Sequence, residues 1–259
     1  MDQSLIVTGF VASLLAGLMT GVGALPVLVT RNISAKLQDA MLGFAAGVMV
    51  AASVFSLIIP GLEAAEADYG GEIGAVLVIG AGVLLGGIAL YWINEHAPHE
   101  HFIFGREGPV TDSLRRLWLF VIAITLHNFP EGLAVGVGYG TGDVARANVL
   151  AIGIGLQNLP EGLAVALALL RERYSMGQAI GVATLTGLVE PIGGLLGVIA
   201  VTFMTPLLPW GLAFAAGAML FVISHEIIPE THRRGFETEG TFGLMIGFVV
   251  MMTLDVTLG

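Results

Sequence analysis

The sequence predicts an all-α, polytopic membrane protein of eight transmembrane helices forming a single transmembrane domain over residues 1–259, and three observations carry that expectation. Only 12% of the residues are charged and 56% are hydrophobic, whereas a soluble globule carries about a quarter of its residues charged. Apolar stretches of the roughly 20 residues needed to cross a bilayer recur along the whole chain. The 37 glycines are dispersed through those stretches, which suits helices packed closely in lipid and not a flexible linker.

Taken in order, the spans lie at about 4–30, 40–62, 73–94, 117–140, 147–170, 177–203, 207–229 and 240–258. Span one has no basic leader, since only Asp2 precedes it, and its apolar run is too long for a signal peptide, so it is expected to be retained. Span two reads Phe44-Ala45-Ala46-Gly47-Val48-Met49 and later Ile58-Ile59-Pro60; span seven echoes it with Phe214-Ala215-Ala216-Gly217-Ala218-Met219 and Ile227-Ile228-Pro229, the spacing differing by one residue. Spans two and seven run in opposite directions, so the echo reads as an inverted repeat relating spans one to three with spans six to eight around a central pair, a 3+2+3 organisation. Chance likeness of two Ala-Gly-rich helices is the competing reading. Span three is followed by a loop, about 95–116, that holds His96, His99 and His101. That composition suits a loose metal-binding tract, and equally a solvated loop with incidental histidines.

The ten basic residues orient the chain. Arg31 and Lys36 follow span one, Arg106, Arg115 and Arg116 span three, Arg171 and Arg173 span five, and Arg233 and Arg234 span seven; Arg146 alone lies on the other side. The odd-numbered loops are therefore expected to be cytoplasmic and both termini outside, in a cell (plasma or inner) membrane. A formal charge of −10 argues against a nucleic-acid partner. Cysteine is absent, so any bound metal must use nitrogen and oxygen ligands.

Ionisable groups in mid-span are costly and mark ion pathways. Span four holds His127-Asn128-Phe129-Pro130-Glu131-Gly132-Leu133-Ala134-Val135 and span five Gln157-Asn158-Leu159-Pro160-Glu161-Gly162-Leu163-Ala164-Val165, with seven of nine positions identical. Each residue advances about 100° around a helix axis, so Glu131 faces between His127 and Asn128, and Glu161 between Gln157 and Asn158. Facing helices would then present two bridging carboxylates, flanked by His and Gln on one side and two Asn on the other, a template for a two-metal site. Pro130 and Pro160 lack the amide hydrogen and are expected to kink their helices and free the Leu126 and Leu156 carbonyls. Glu190, followed by Pro191 near the middle of span six, supplies a third carboxylate. Three buried carboxylates are hard to keep ionised without a cation, which weighs against a purely structural network. An empty centre of this kind takes up protons, so metal entry should expel them. His225, Glu226 and Glu230 at the end of span seven suit an inner exit station or, equally, an interfacial polar terminus. Asp39, Ser56 and Glu63 on span two are pathway candidates, although each alone is more often a cap or interfacial group.

At these residues the sequence resembles the ZIP (Zrt/Irt-like protein) family of metal transporters, in particular its GufA-like bacterial branch. The resemblance covers essentially the whole chain. It implies transport of zinc, with cadmium, iron or manganese as further cargo, into the cytoplasm by a homodimer in the lipid bilayer, by elevator-like motion of one helix bundle against another. It implies no catalytic cofactor: the bound Zn2+, Cd2+, Fe2+ or Mn2+ is the transported ion. Carried onto this chain, the first metal position takes His127, Glu131, Gln157, Glu161 and Glu190, and the second takes Asn128 and Asn158 with the bridging glutamates. Relatives in this branch can have an aspartate where this chain has Asn158, so the second ion is expected to bind more weakly. With no nucleotide-binding motif, transport would draw on gradients and membrane potential. Two alternatives stay open. An intramembrane metalloprotease would need His-Glu-x-x-His, and His225-Glu226 is followed by Pro229 where the second His belongs. A passive channel could be lined by the same ligands.

Overall fold

The computed structural model describes residues 3–30, 33–96 and 113–259, and these are almost wholly helical. Helix α1 runs Gln3–Ala24 and ends in a 3-10 turn at Leu25–Leu28. Ser34 caps α2 (Ala35–Ala51) by accepting from the Leu37 amide. A π-helical stretch, Ala52–Ile58, leads from α2 into α3 (Ile59–Asp68), with Pro60 in the first turn where its missing N–H costs nothing. Then come α4 (Glu72–His96), α5 (Ser113–Gly140) and α6 (Val144–Arg171). The α5–α6 turn needs Gly142 at φ +83°, and Asp143 caps α6 through the Arg146 amide. A capping box of Ser175 and Gln178 starts α7 (Met176–Gly187), which is followed by α8 (Glu190–Phe203). The last span pair is α9 (Leu208–Val222), a second π-helical stretch at Ile223–Ile227, α10 (Ile228–Thr231) opening with Pro229, and α11 (Glu237–Leu258). Among the described residues, eight helical segments are long and apolar enough to cross a membrane.

Span six differs from its expected form. It breaks at Leu188 and Val189, so Glu190 sits in mid-span yet is the first residue of α8 rather than the middle of a continuous helix. The cause is Pro191, which cannot donate to the preceding turn and starts a new helix instead. By contrast, α5 and α6 run on through Pro130 and Pro160.

The helices form two bundles. One comprises α1, α5, α6, α7 and α8, and the other α2, α3, α4, α9, α10 and α11. The densest packing pairs are α1 with α6 and α5 with α8 in the first, and α2 with α11 and α4 with α9 in the second. These are the pairs that exchange under the inverted repeat, spans one and five becoming spans six and four, and spans two and eight becoming seven and three. Glycine makes the same contact in both copies. A Cβ on Gly162 would strike the Thr20 backbone and one on Gly132 the Glu190 backbone; a Cβ on Gly47 would strike the Leu244 carbonyl and one on Gly217 the Val83 carbonyl. The glycine of the echo thus makes a matching backbone contact in span two and in span seven. Across the seam between bundles the glycines meet side chains instead, Gly153 facing the Met251 sulfur and Gly211 facing Val137. Buried Val48, Met49, Leu150, Ile154 and Met251 fill the seam toward the Arg146 end of α6.

Candidate metal centre

The first bundle carries the paired segments. Because α5 and α6 are antiparallel neighbours joined by a tight turn, Glu131 is brought beside Glu161, and α8 delivers Glu190 against Gly132. His127, Asn128, Glu131, Gln157, Asn158, Glu161 and Glu190 are all buried. A buried carboxylate without hydrogen bonds or a counter-charge is strongly disfavoured. Yet six oxygens here have no hydrogen-bond partner: Asn128 Oδ1, both of Glu131, Gln157 Oε1, Glu161 Oε2 and Glu190 Oε2. Glu190 also stands at a helix N-terminus inside the span, where unpaired amides favour negative charge.

The amides are arranged unequally. Gln157 Nε2 donates to Asn158 Oδ1 at 2.6 Å, and Asn158 Nδ2 donates to Glu190 Oε1 at 2.7 Å and to the Ala16 carbonyl of α1 at 2.8 Å. Its counterpart Asn128 has neither amide atom partnered. His127 Nε2 lies 3.0 Å from Glu226 Oε1, so one ligand candidate of the first bundle is held by a carboxylate of the second. Among the described residues no three His or carboxylate groups stand within joint ligating distance. An ion held here must draw on amide oxygens as well, or pull the carboxylates together.

A cavity of about 90 Å³ connects this centre with one end of the bundle, running from His127 and Glu161 past Glu226 and Glu230 to Gln38, Arg171 and Arg234. A second cavity of about 210 Å³ lies toward the other end, lined by Ser56, Glu63, Asp143, Arg146 and Leu150, and includes none of the paired-segment residues. The apolar fill at Leu150 and Ile154 lies between.

The remaining candidates are distributed as follows. Glu226 turns to His127, His225 stacks on Phe221 with ring centroids 4.8 Å apart, and Glu230 pairs with Arg234 at 3.2 Å, so these three do not form one cluster. Asp39 is fully buried and 3.1 Å from Arg234, which also donates to Gln38 at 3.1 Å. Ser56 donates to Asp255 at 2.7 Å, and Glu63 accepts from Arg146 at 3.0 Å. His96 is exposed on the last turn of α4 with Nδ1 2.8 Å from the Trp92 carbonyl, whereas His99 and His101 lie outside the described residues. Sequence reasoning did not single out Asp255, Arg234 or the Ala16 carbonyl, whose partners are remote in the chain. Arg146 carried a signal, being the lone basic residue on its side.

Comparison with known proteins bears on this arrangement. A family described as ZIP Zinc transporter matches residues 105–255. The chain is 52% identical to the zinc transporter GufA of Myxococcus xanthus over 97% of its own length and 99% of that protein. It is 50% identical to the zinc transporter ZIPB of Bordetella bronchiseptica over 93% of this chain and 78% of that one. To human zinc transporter ZIP11 it is 35% identical, covering 93% and 94%.

Proposed function

Given that the chain belongs to the ZIP zinc transporter family, we propose that it carries divalent metal, zinc foremost, across the membrane into the cytoplasm through the centre between α5, α6 and α8. Members of the family are transporters and not enzymes, which sets the protease alternative aside. The observation that carries the reading is the set of six buried, unpartnered oxygens beside His127, because a cation is the partner that such a set lacks. His127, Glu131, Gln157, Glu161 and Glu190 hold the first ion. Glu131 and Glu161 bridge to a second, weaker position bordered by Asn128 and Asn158. Nitrogen and oxygen ligands of this mixture suit zinc, and also cadmium, iron and manganese.

An elevator-like carrier is favoured over a channel. Backbone-to-backbone glycine contacts knit each bundle internally, while the seam is lined by side chains that can slide past one another. The cavity past Glu226 and Glu230 reaches the centre and the one beside Glu63 and Arg146 stops short of it, as alternating access requires. With Arg171 and Arg234 on the cytoplasmic side by the positive-inside rule, the open end faces inward, both termini lie outside, and Glu226 and Glu230 line the way out. Insertion in the inner membrane as a homodimer completes the proposal.

Saturable zinc uptake into proteoliposomes, competed by Cd2+, Fe2+ and Mn2+, is the expected result; uptake linear in concentration would favour a channel. Titration of the purified protein should show one tight and one weaker zinc ion, and two equally tight ions would sink the second-position reading. Ligating carboxylates and imidazole must be deprotonated, so apparent zinc affinity should rise with pH between about 5 and 8. Affinity independent of pH across that range would refute metal–proton exclusion.

A further inference from the structure

The two asparagines of the paired segments are identical in sequence and opposite in circumstance. Asn128 offers a buried oxygen and nitrogen to which nothing is bonded. Asn158 has both hydrogens of its amide nitrogen engaged and one of the two lone pairs of its oxygen in use. Its nitrogen spends one hydrogen on Glu190 Oε1 at 2.7 Å and the other on the Ala16 carbonyl at 2.8 Å, and its oxygen receives the Gln157 amide at 2.6 Å. An amide nitrogen has two hydrogens to donate, and both are engaged in a fully buried setting.

We infer that Asn158 is a positioning residue for the first ion, aiming Glu190 and Gln157 at it. The inference rests on the metal-centre reading above. Two consequences of the bonding support it. By accepting from Gln157 Nε2, Asn158 fixes which face of that amide is left over, and the leftover atom is Gln157 Oε1, buried, unpartnered and of the kind a divalent cation binds. By donating to Glu190 Oε1, it pins one carboxylate oxygen and leaves Oε2 unpartnered. The bond to Ala16 ties the whole arrangement to α1, so the start of α8, set free from α7 by the break in span six, is held in place by α6 and α1 together. An aspartate at this position would keep the bond from Gln157 but set a carboxylate against Glu190 and the Ala16 carbonyl.

The test is a zinc titration of the purified protein in detergent, with Zn2+ alone as the probe, on four variants. Asn158→Ala should weaken the tight ion by about tenfold to a hundredfold, the scale of a lost charge-assisted hydrogen bond. Asn158→Asp, which keeps the shape and decides the matter should the alanine variant not fold, should weaken it as well. Glu190→Gln should weaken the tight ion, and Asn158→Ala should cost less when added to Glu190→Gln than it does in the parent, since the bond to Glu190 is then already altered and only the one from Gln157 remains to be lost. A merely structural asparagine would cost as much in both backgrounds. The inference is overturned if Asn158→Ala leaves the tight ion within about twofold of the parent, or if Asn158→Asp gains a second tight ion with the first unweakened. If Glu190→Gln leaves the tight ion in place, the centre itself has been misassigned and the inference falls with it; if Glu190→Gln weakens it and Asn158→Ala does not, the inference alone is lost.

Discussion

Glu161→Ala is expected to abolish zinc uptake in proteoliposomes, leaving about a hundredth of the parent rate or less at low zinc. Glu161 stands on α6 beside His127 and Glu131 and lines the cavity through which the ion would leave. Removing one partner from a buried, desolvated charge cluster costs about 3 kcal/mol or more, and each 1.4 kcal/mol is roughly tenfold in affinity. The fold should respond in the opposite sense. In the metal-free protein Glu161 is a buried polar group packed beside Glu131 with an oxygen that nothing satisfies, so the alanine variant should melt no lower than the parent in a chelator. What it should lose is the rise in melting temperature that zinc gives the parent, because only a ligand bound to the native state raises it. A variant that melts well below the parent in chelator would mark Glu161 as structural; one that still takes up zinc would remove it from the site.

Gly162→Val is the substitution expected to damage the fold most. Its Cβ would be driven into the backbone of Thr20, and α1 cannot step aside because Gly23 one turn on is pressed against the backbone of Leu159. Overpacking against backbone at two locked points belongs with the largest single-site effects, of order 4 kcal/mol, so little monodisperse protein should survive extraction. Gly132→Val should behave alike through the Glu190 backbone. Gly80→Ala is the control, with nothing within 4 Å of its Cβ; it should fold as well as the parent or gain up to about 1 kcal/mol from helix propensity. Elution profiles of fluorescently tagged protein during a thermal ramp would rank the three. A well-folded Gly162→Val protein would contradict the close α1–α6 approach.

Most of what places the candidate site is legible in the sequence. Hydropathy gave the eight spans because twenty apolar residues have few other uses, and the paired segments gave the buried polar set because duplication at fixed spacing is improbable without a shared role. The break at Leu188 and Val189 was hidden, since both residues are as apolar as their neighbours and hydropathy does not register helix continuity; Pro191 was the only trace. The ion pairs Arg146–Glu63 and Arg234–Asp39, and the bond from Ser56 to Asp255, join residues far apart in the chain, and no local periodicity encodes such partners. The unequal asparagines were illegible for a deeper reason. Asn128 and Asn158 occupy equivalent places in equivalent segments, and what separates them is the surroundings, a carbonyl of α1 and a carboxylate of α8 that meet one copy and not the other.

The π-helical stretches ahead of Pro60 and Pro229 also set where the second bundle's helices bend. Sharp bends in helices fall at proline and at π turns, where the ladder of backbone hydrogen bonds is interrupted. Both stretches follow the glycine that locks their helix to its neighbour, and both run into a proline-led turn. Each of these two helices is therefore stiff on the glycine side and compliant beyond it, so that any bending concentrates at matching places in the two.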